Sequence, residues 1–348
     1  MKKITSKVSI TVALFTVLHF LVDGICALVI FQSLYNDDYN RCLIVFICYN
    51  FLAFLTQPLV GLLIDKNNYP RLFLVISVIL LFIGVMFRAY FLPSAIFLGL
   101  GNSFFHISGG KFVTEKTNNN IVPLGFFVST GAIGLMLGQK YYSNTLLLIF
   151  GVLIIIFTTL VLITKEKENT LAPFEEVKTN INLKYFITLF ALCLVVMIRS
   201  FVGKICIYDF KTSSVIFVLI SVAIALGKAL GGVLAKYLGV TKSIIISMVI
   251  SLVTLVFFND NIYLTLLGLV AFNTTMPITL WYMNKLLNKK LGFAFGILAA
   301  CLIPGYLLGM LFNDILIRQI LIASLSVLSI VLIFVIKKME TSLHGNDD

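Results

Sequence analysis

Apolar residues run through the chain in blocks of about 20, the length at which a helix crosses the hydrocarbon of a bilayer, and polar residues gather in the short stretches between them. Twelve such blocks can be drawn, at roughly 8–34, 41–64, 71–92, 94–112, 121–139, 144–164, 184–206, 213–235, 242–258, 262–284, 291–312 and 317–336. Each predicts a helix, because in lipid every backbone N–H and C=O has to find its partner within its own segment. The connections are short except for 165–183, which holds a charge run beginning Lys165-Glu166-Lys167-Glu168, a proline and several polar residues. That stretch reads as a linker between an N-terminal six-helix half (1–164) and a C-terminal six-helix half with a short tail (184–348). The expected fold class is an all-α membrane protein.

A short charged loop supports the division. Gly61-Leu62-Leu63-Ile64-Asp65-Lys66 and the residues up to Arg71 lie between two apolar runs, and a shift of 171 positions sets Gly232 on Gly61, Lys236 on Asp65 and Lys242 on Arg71. The same shift sets Lys228 on Gln57 and Asn273 on Asn102. At a shift of 167, Gly292-Phe293 falls on Gly125-Phe126 and Gly305 on Gly138. Two six-helix halves in the same orientation are the parallel-repeat arrangement of a large transporter class, whose substrate sits near the midplane between the halves.

Composition sharpens this picture. Hydrophobic residues make up 60% of the chain and charged residues 12%, with 31 phenylalanines, far too much apolar surface for one water-facing core. Met1 to Lys7 has the basic flank of a signal peptide, yet the run behind it contains His19 and Asp23 and shows no small-residue cleavage site, so it reads as a retained first span. The six cysteines lie in or beside apolar segments without paired spacing and read as packing residues. The formal net charge of +11 would suggest a nucleic-acid partner in a soluble protein. With both termini in the cytoplasm, however, most Lys and Arg residues fall on the cytoplasmic side and only Arg41, Lys140, Lys211 and Arg318 fall clearly outside. The charge is then an orientation signal of an inner-membrane, multi-pass protein rather than a nucleic-acid footprint.

Gly61, Leu63, Asp65 and Arg71 match a signature of approximate form Gly-x-Leu-x-Asp-x-x-Gly-x-basic-basic between the second and third helices of the major facilitator superfamily, which the chain resembles over its whole length. Asn68 stands where the signature has its second Gly, and the second copy keeps Gly232, Leu234, Gly239 and Lys242 but has Lys236 in place of the acid. The resemblance implies alternating access, with the fifth and eighth helices, and the second and eleventh, at the seam between halves. The glycines of the fifth, eighth and eleventh spans are accordingly assigned to that seam, and Gly61, Asp65, Arg71, Gly232, Lys236 and Lys242 to an unequal gate latched mainly from the N-terminal side. A narrower stretch, Gly99-Leu100-Gly101-Asn102-Ser103-Phe104-Phe105-His106, is similar to one in the fosmidomycin-resistance-like branch, which implies drug efflux.

Among the 15 acidic residues, Asp23 alone is deep, about 22 Å into the first span. A carboxylate there is costly unless paired, hydrated or protonated. His19 precedes it by four residues and shares its helical face. Two readings stand: a proton-coupling site of Asp23 with His19 and His106, or a clamp in which Asp23 holds a cation on a neighbouring helix. Arg199 in the seventh span and Lys228 in the eighth are the deep cations. Facing a central cavity they would favour a substrate bearing a carboxylate or phosphate, and the alternative is again a structural ion pair. Asn102, His106 and Asn273 form a candidate polar lining from both halves, while Asn50 and Gln57 read as hydrogen-bond glue between helices. Pro304 beside Gly305 is expected to kink the eleventh helix.

No phosphate-binding glycine loop, nucleophile elbow or Cys/His metal spacing is present in the sequence. We therefore read a monomeric secondary transporter of a small polar or anionic solute, coupled to protons, embedded in lipid and without cofactor. The alternatives are a membrane-embedded enzyme, a channel or a receptor.

Overall fold

The computed structural model of the chain describes residues 6–35, 39–164, 181–206, 214–258, 261–312 and 314–344. Within them the chain forms twelve apolar helices in two six-helix halves. The first half comprises α1 (Ser6–Tyr35), α2 (39–67), α3 (Pro70–Met86), α4 (Phe91–Lys116), α5 (Ile121–Lys140) and α6 (Asn144–Ile163). The second comprises α7 (Leu183–Cys206), α8 (Ser214–Leu238), α9 (Val240–Phe257), α10 (Ile262–Leu286), α11 (Leu291–Gly309) and α12 (Ile315–His344). Eleven are long and apolar enough to cross a membrane and α3 is shorter. Of the expected linker, 165–180 lies outside the described residues.

Local chemistry sets the helix ends. Asn120, Ser143 and Asn261 cap α5, α6 and α10 with side-chain oxygens that accept from Val122, Leu146 and Tyr263 amides. Asn68 closes α2 in the left-handed conformation (φ 55°), and Pro70 opens α3 two residues later.

Three helices are broken, each just ahead of a proline that removes an amide and crowds the carbonyl four residues back. In α2, the α-helical pieces Tyr39–Asn50 and Gln57–Asn67 flank a π-helical stretch, Phe51–Leu55, ahead of Pro58. α10 breaks at Thr274 ahead of Pro277, and α11 breaks at Cys301 ahead of Pro304, as expected from the sequence. Along the broken helix, Asn50 donates to Phe46 O and Gln57 to Ala53 O, both at 2.8 Å. These amides therefore serve their own helix instead of bridging to another.

Packing repeats between the halves: α1 lies against α4, α5 and α6 as α7 lies against α10, α11 and α12. The halves meet along α5 with α8 and α2 with α11. Glycines bring these backbones together, but only some of them lie at the seam. At about 100° per residue, Gly131, Gly134 and Gly138 share one face of α5 and press on α1. Gly125 points the other way, towards Lys228 O and Gly232 of α8. Likewise Gly227 and Gly231 of α8 meet α10, while Gly305 and Gly309 of α11 meet α7. The seam itself is made by Gly61 against Gly292, Gly296 against Gln57 and Pro58, and Gly232 against Ile121 and Val122. Assigning every glycine of these helices to the seam is thus corrected by helical phase: spacings of three, four and seven residues keep one face, whereas steps of six or nine change it.

A Cβ on Gly296 would come within 2.5 Å of Gln57 O and 2.7 Å of Pro58 N, both backbone atoms, whereas a Cβ on Gly203 of α7 would meet nothing within 4 Å. Gly296→Val is expected to cost about 1–3 kcal/mol or more through overpacking, and Gly203→Ala to be neutral or slightly stabilising. Thermal unfolding in detergent checks the contrast; equal midpoints for the two variants would contradict this packing.

Candidate functional site

The deepest polar feature is a four-residue cluster from α1 and α4. His19 and Asp23 are one turn apart on α1, with His19 Nε2 3.3 Å from Asp23 Oδ2. Asn102 and His106 are one turn apart on α4, with His106 Nδ1 2.9 Å from Asn102 Oδ1. The pairs interlock: Asn102 Nδ2 donates to Asp23 Oδ1 at 2.9 Å, His106 Nε2 lies 3.4 Å from that same oxygen, and the two Nε2 atoms face each other at 2.8 Å. His19 Nδ1 lies 2.6 Å from the carbonyl oxygen of Phe127 on α5.

Gly131 of α5 presses directly on Asp23 Oδ2 and His19 Nε2, so a side chain there would occupy the cluster. Phe105, Phe127 and Phe295 enclose the imidazoles, and Phe295 comes from α11 in the other half, stacked on His106 at 6.4 Å. Cys26, which receives a long contact from Asn102 and hydrogen-bonds with Tyr49, extends the cluster towards α2.

These contacts fix where protons can be. A carbonyl only accepts, so His19 Nδ1 carries a hydrogen. With Asn102 donating its amide to Asp23, Asn102 Oδ1 accepts and His106 Nδ1 carries one too. Both imidazoles therefore turn Nε2 towards the carboxylate. Without a further proton, three acceptors face one another in an apolar enclosure; one proton between them turns repulsion into hydrogen bonds.

His19, Asp23 and His106 also form the one group among the described residues that could hold a metal ion, their ligand atoms all within 4.8 Å of one another. The linear spacing search could not find it, because His106 comes from a different helix. No Lys or Arg pairs with Asp23 among the described residues, so its observed partners are the imidazoles and Asn102 rather than the cation of the clamp reading.

In the second half Arg199 lies on α7 and Lys228 on α8. Arg199 is 7% exposed and donates to Thr279 Oγ1 of α10 at 3.2 Å. Lys228 is partly buried, makes no hydrogen bond or ion pair among the described residues, and lies within electrostatic reach of both Arg199 and Asp23. Asn273 turns its amide to Leu269 O of its own helix (2.9 Å) and is not joined to the cluster.

The end of the bundle at which α1 begins and α12 ends is tied shut between the halves. Asp65 Oδ1 accepts from Gly292 N and Oδ2 from Phe293 N, both at 2.9 Å, and Lys111 of α4 pairs with Oδ1 at 3.2 Å. Gly292 and Phe293 open α11, where the first amides lack intrahelical partners and the helix dipole favours an anion. Asn284 adds bonds to Asn119 (3.0 Å) and Thr114 (3.3 Å), and Asn119 donates to Trp281 O. Of the other loop residues, Arg71 reaches Thr164 O within its own half, Lys236 lies over the Tyr237 ring, Lys242 is exposed and Gly232 meets α5. Sequence inspection did not foresee that Lys111 and the start of α11 are the partners of Asp65.

The architecture is the major facilitator fold. Two solved structures share it. One is a crystal structure of a point variant of the E. coli fucose:proton symporter FucP, 12% identical, with 98% of this chain and 100% of that chain covered and a TM-score of 0.70. The other is FucP described as a major facilitator superfamily transporter in the outward conformation, 13% identical over 96% and 99% of the two chains, with a TM-score of 0.71. No protein-family model matches the chain, and no curated protein matches it by sequence.

Asp65→Asn removes the charge held by Lys111 and the start of α11, and is expected to weaken closure of that end by about 1–3 kcal/mol. Distance distributions between spin labels on α2 and α11 should broaden towards longer separations. An unchanged distribution would show that closure does not depend on Asp65.

Proposed function

We propose that the chain is a secondary active transporter of the major facilitator type that moves a small solute by alternating access and draws on the proton gradient through His19, Asp23 and His106. The observation that carries this is the proton deficit of the cluster. His19 Nε2, His106 Nε2 and the Asp23 carboxylate converge with separations of 2.8, 3.3 and 3.4 Å, and one proton among them satisfies all three. That proton belongs to the group rather than to one residue. An ionisable group at this depth is by default a functional one, and the cluster can gain or lose charge without displacing a ligand. The fold adds support, since one similar structure is that of a fucose:proton symporter.

In this reading the halves, 1–164 and 184–348 joined through 165–183, rock about the seam. Solute enters between α1, α4, α7 and α10, with Arg199 and Lys228 on one side and Asn102 and His106 on the other. The tied end, which carries Lys66, Arg71, Lys111 and Lys116, is the cytoplasmic end by the positive-inside rule. Both termini then lie in the cytoplasm of a bacterial cell, and the closed state faces outward. The working unit is the monomer in lipid. Drug efflux, implied by the narrower resemblance, gains no support from the two solved structures.

Reconstituted protein with Asp23→Asn is expected to lose proton-driven accumulation while keeping solute exchange, because binding and rocking survive but the charge that the proton neutralises is gone. Flux in proteoliposomes with and without an uncoupler measures both. Undiminished driven accumulation by the variant would sink the coupling role, and uncoupler-insensitive flux by the unaltered protein would sink proton coupling altogether.

A further inference from the structure

The two halves treat their buried charge differently. In the first, every polar atom of the cluster faces a partner. In the second, a buried guanidinium rests on a single hydroxyl, that of Thr279, and an ammonium within its electrostatic reach rests on nothing. Thr279 Oγ1 already donates to Met276 O at 2.9 Å, so its remaining capacity is one lone pair. Four of the five guanidinium N–H donors and all three ammonium donors are left without a protein acceptor among the described residues. Two cations within electrostatic reach of each other repel, and an anion held between them offsets that repulsion. Asp23, the acid within electrostatic reach of Lys228, is already engaged by Asn102 and two imidazoles, so the described residues supply no free anion.

We propose that Arg199 and Lys228 form the binding site for a doubly charged oxyanion, a phosphate monoester or a dicarboxylate, which is the solute. This rests on the transporter reading above and names its substrate class. The planar fork of Arg199 takes two oxygens of one phosphoryl or carboxyl group, and Lys228 takes a third oxygen as a point charge. Two negative charges cancel the two cations, which a neutral sugar or a monocarboxylate leaves uncompensated.

The test is binding in detergent without any gradient, so it stands apart from transport. Thermal shifts are recorded with glycerol phosphate, succinate, lactate and glycerol at matched ionic strength. Glycerol phosphate or succinate should raise the midpoint, and lactate and glycerol should not. Arg199→Gln and Lys228→Gln should each weaken the dianion by about 30-fold or more. Arg199→Lys, which keeps the charge but loses the fork, should restore part of the affinity, and Lys66→Gln, on the exposed basic end, should leave it unchanged. Circular dichroism establishes that each variant is folded; where one is not, the ligand panel on the unaltered protein decides.

No shift with either dianion up to tens of millimolar overturns the proposal, as does a dianion shift that both glutamine variants retain. A neutral solute carried with uncoupler-sensitive flux overturns the dianion while leaving the transporter standing. Dianion binding with uncoupler-insensitive flux does the reverse.

Discussion

A carboxylate and two imidazoles can share the interior of a membrane bundle only if the chain satisfies them without bulk water, and the approach of α5 to α1 is what makes this possible. Three glycines on one face of α5 let its backbone close on α1. The Phe127 carbonyl then comes within 2.6 Å of His19, and Gly131 leaves room for the side chains it faces. Orientation follows from that contact. Once His19 Nδ1 is committed to α5, Nε2 must look at Asp23 and His106, and Asn102 sets His106 the same way. Packing in lipid, where apolar association offers little drive, thus decides a protonation chemistry.

The repeat places polar contacts between corresponding pairs of helices in the halves and fills them differently. α1 meets α4 through Asp23 and Asn102, and α7 meets α10 through Arg199 and Thr279. The first link carries a carboxylate and the second a guanidinium. The coupling we propose between proton and solute draws on this asymmetry, with Lys228 within electrostatic reach of both.

Most of the frame was legible in the sequence, because hydropathy blocks of spanning length leave few other structures in lipid. All twelve expected spans coincide with helices, within a few residues at most ends. The pairing of Asp23 with His19 was legible too, since a spacing of four on a helix decides it. What the sequence could not show was the meeting of α1 with α4, and hence that His106 comes within hydrogen-bonding distance of His19 and faces Asp23 while Asn273 stays apart from them. The glycines mislead for a related reason: Gly125 and Gly131 lie in one helix but on different faces, and which face meets which helix is a tertiary fact. All three helix breaks carried a signal: Pro304 was read as a kink, and Pro58 and Pro277 carry the same one, because a proline frees the carbonyl four residues earlier wherever it falls inside a span.

In the alternating-access cycle we propose, the position of those breaks bears on how the tied end would reopen. α2 and α11 are both interrupted, and they form one of the two helix pairs that meet at the seam, so each can bend where its hydrogen-bond ladder is already incomplete. Their contact is made by glycine backbones and by Asp65, with little interdigitation to undo. When the halves part, Asp65 gives up two amides of α11 but keeps Lys111, which belongs to its own half. A buried carboxylate stripped of every partner would cost several kcal/mol. Here opening exchanges two backbone bonds for water at the newly wetted end and never isolates the charge. A latch anchored on one side in this way holds firmly and releases cheaply, as two states of comparable free energy require.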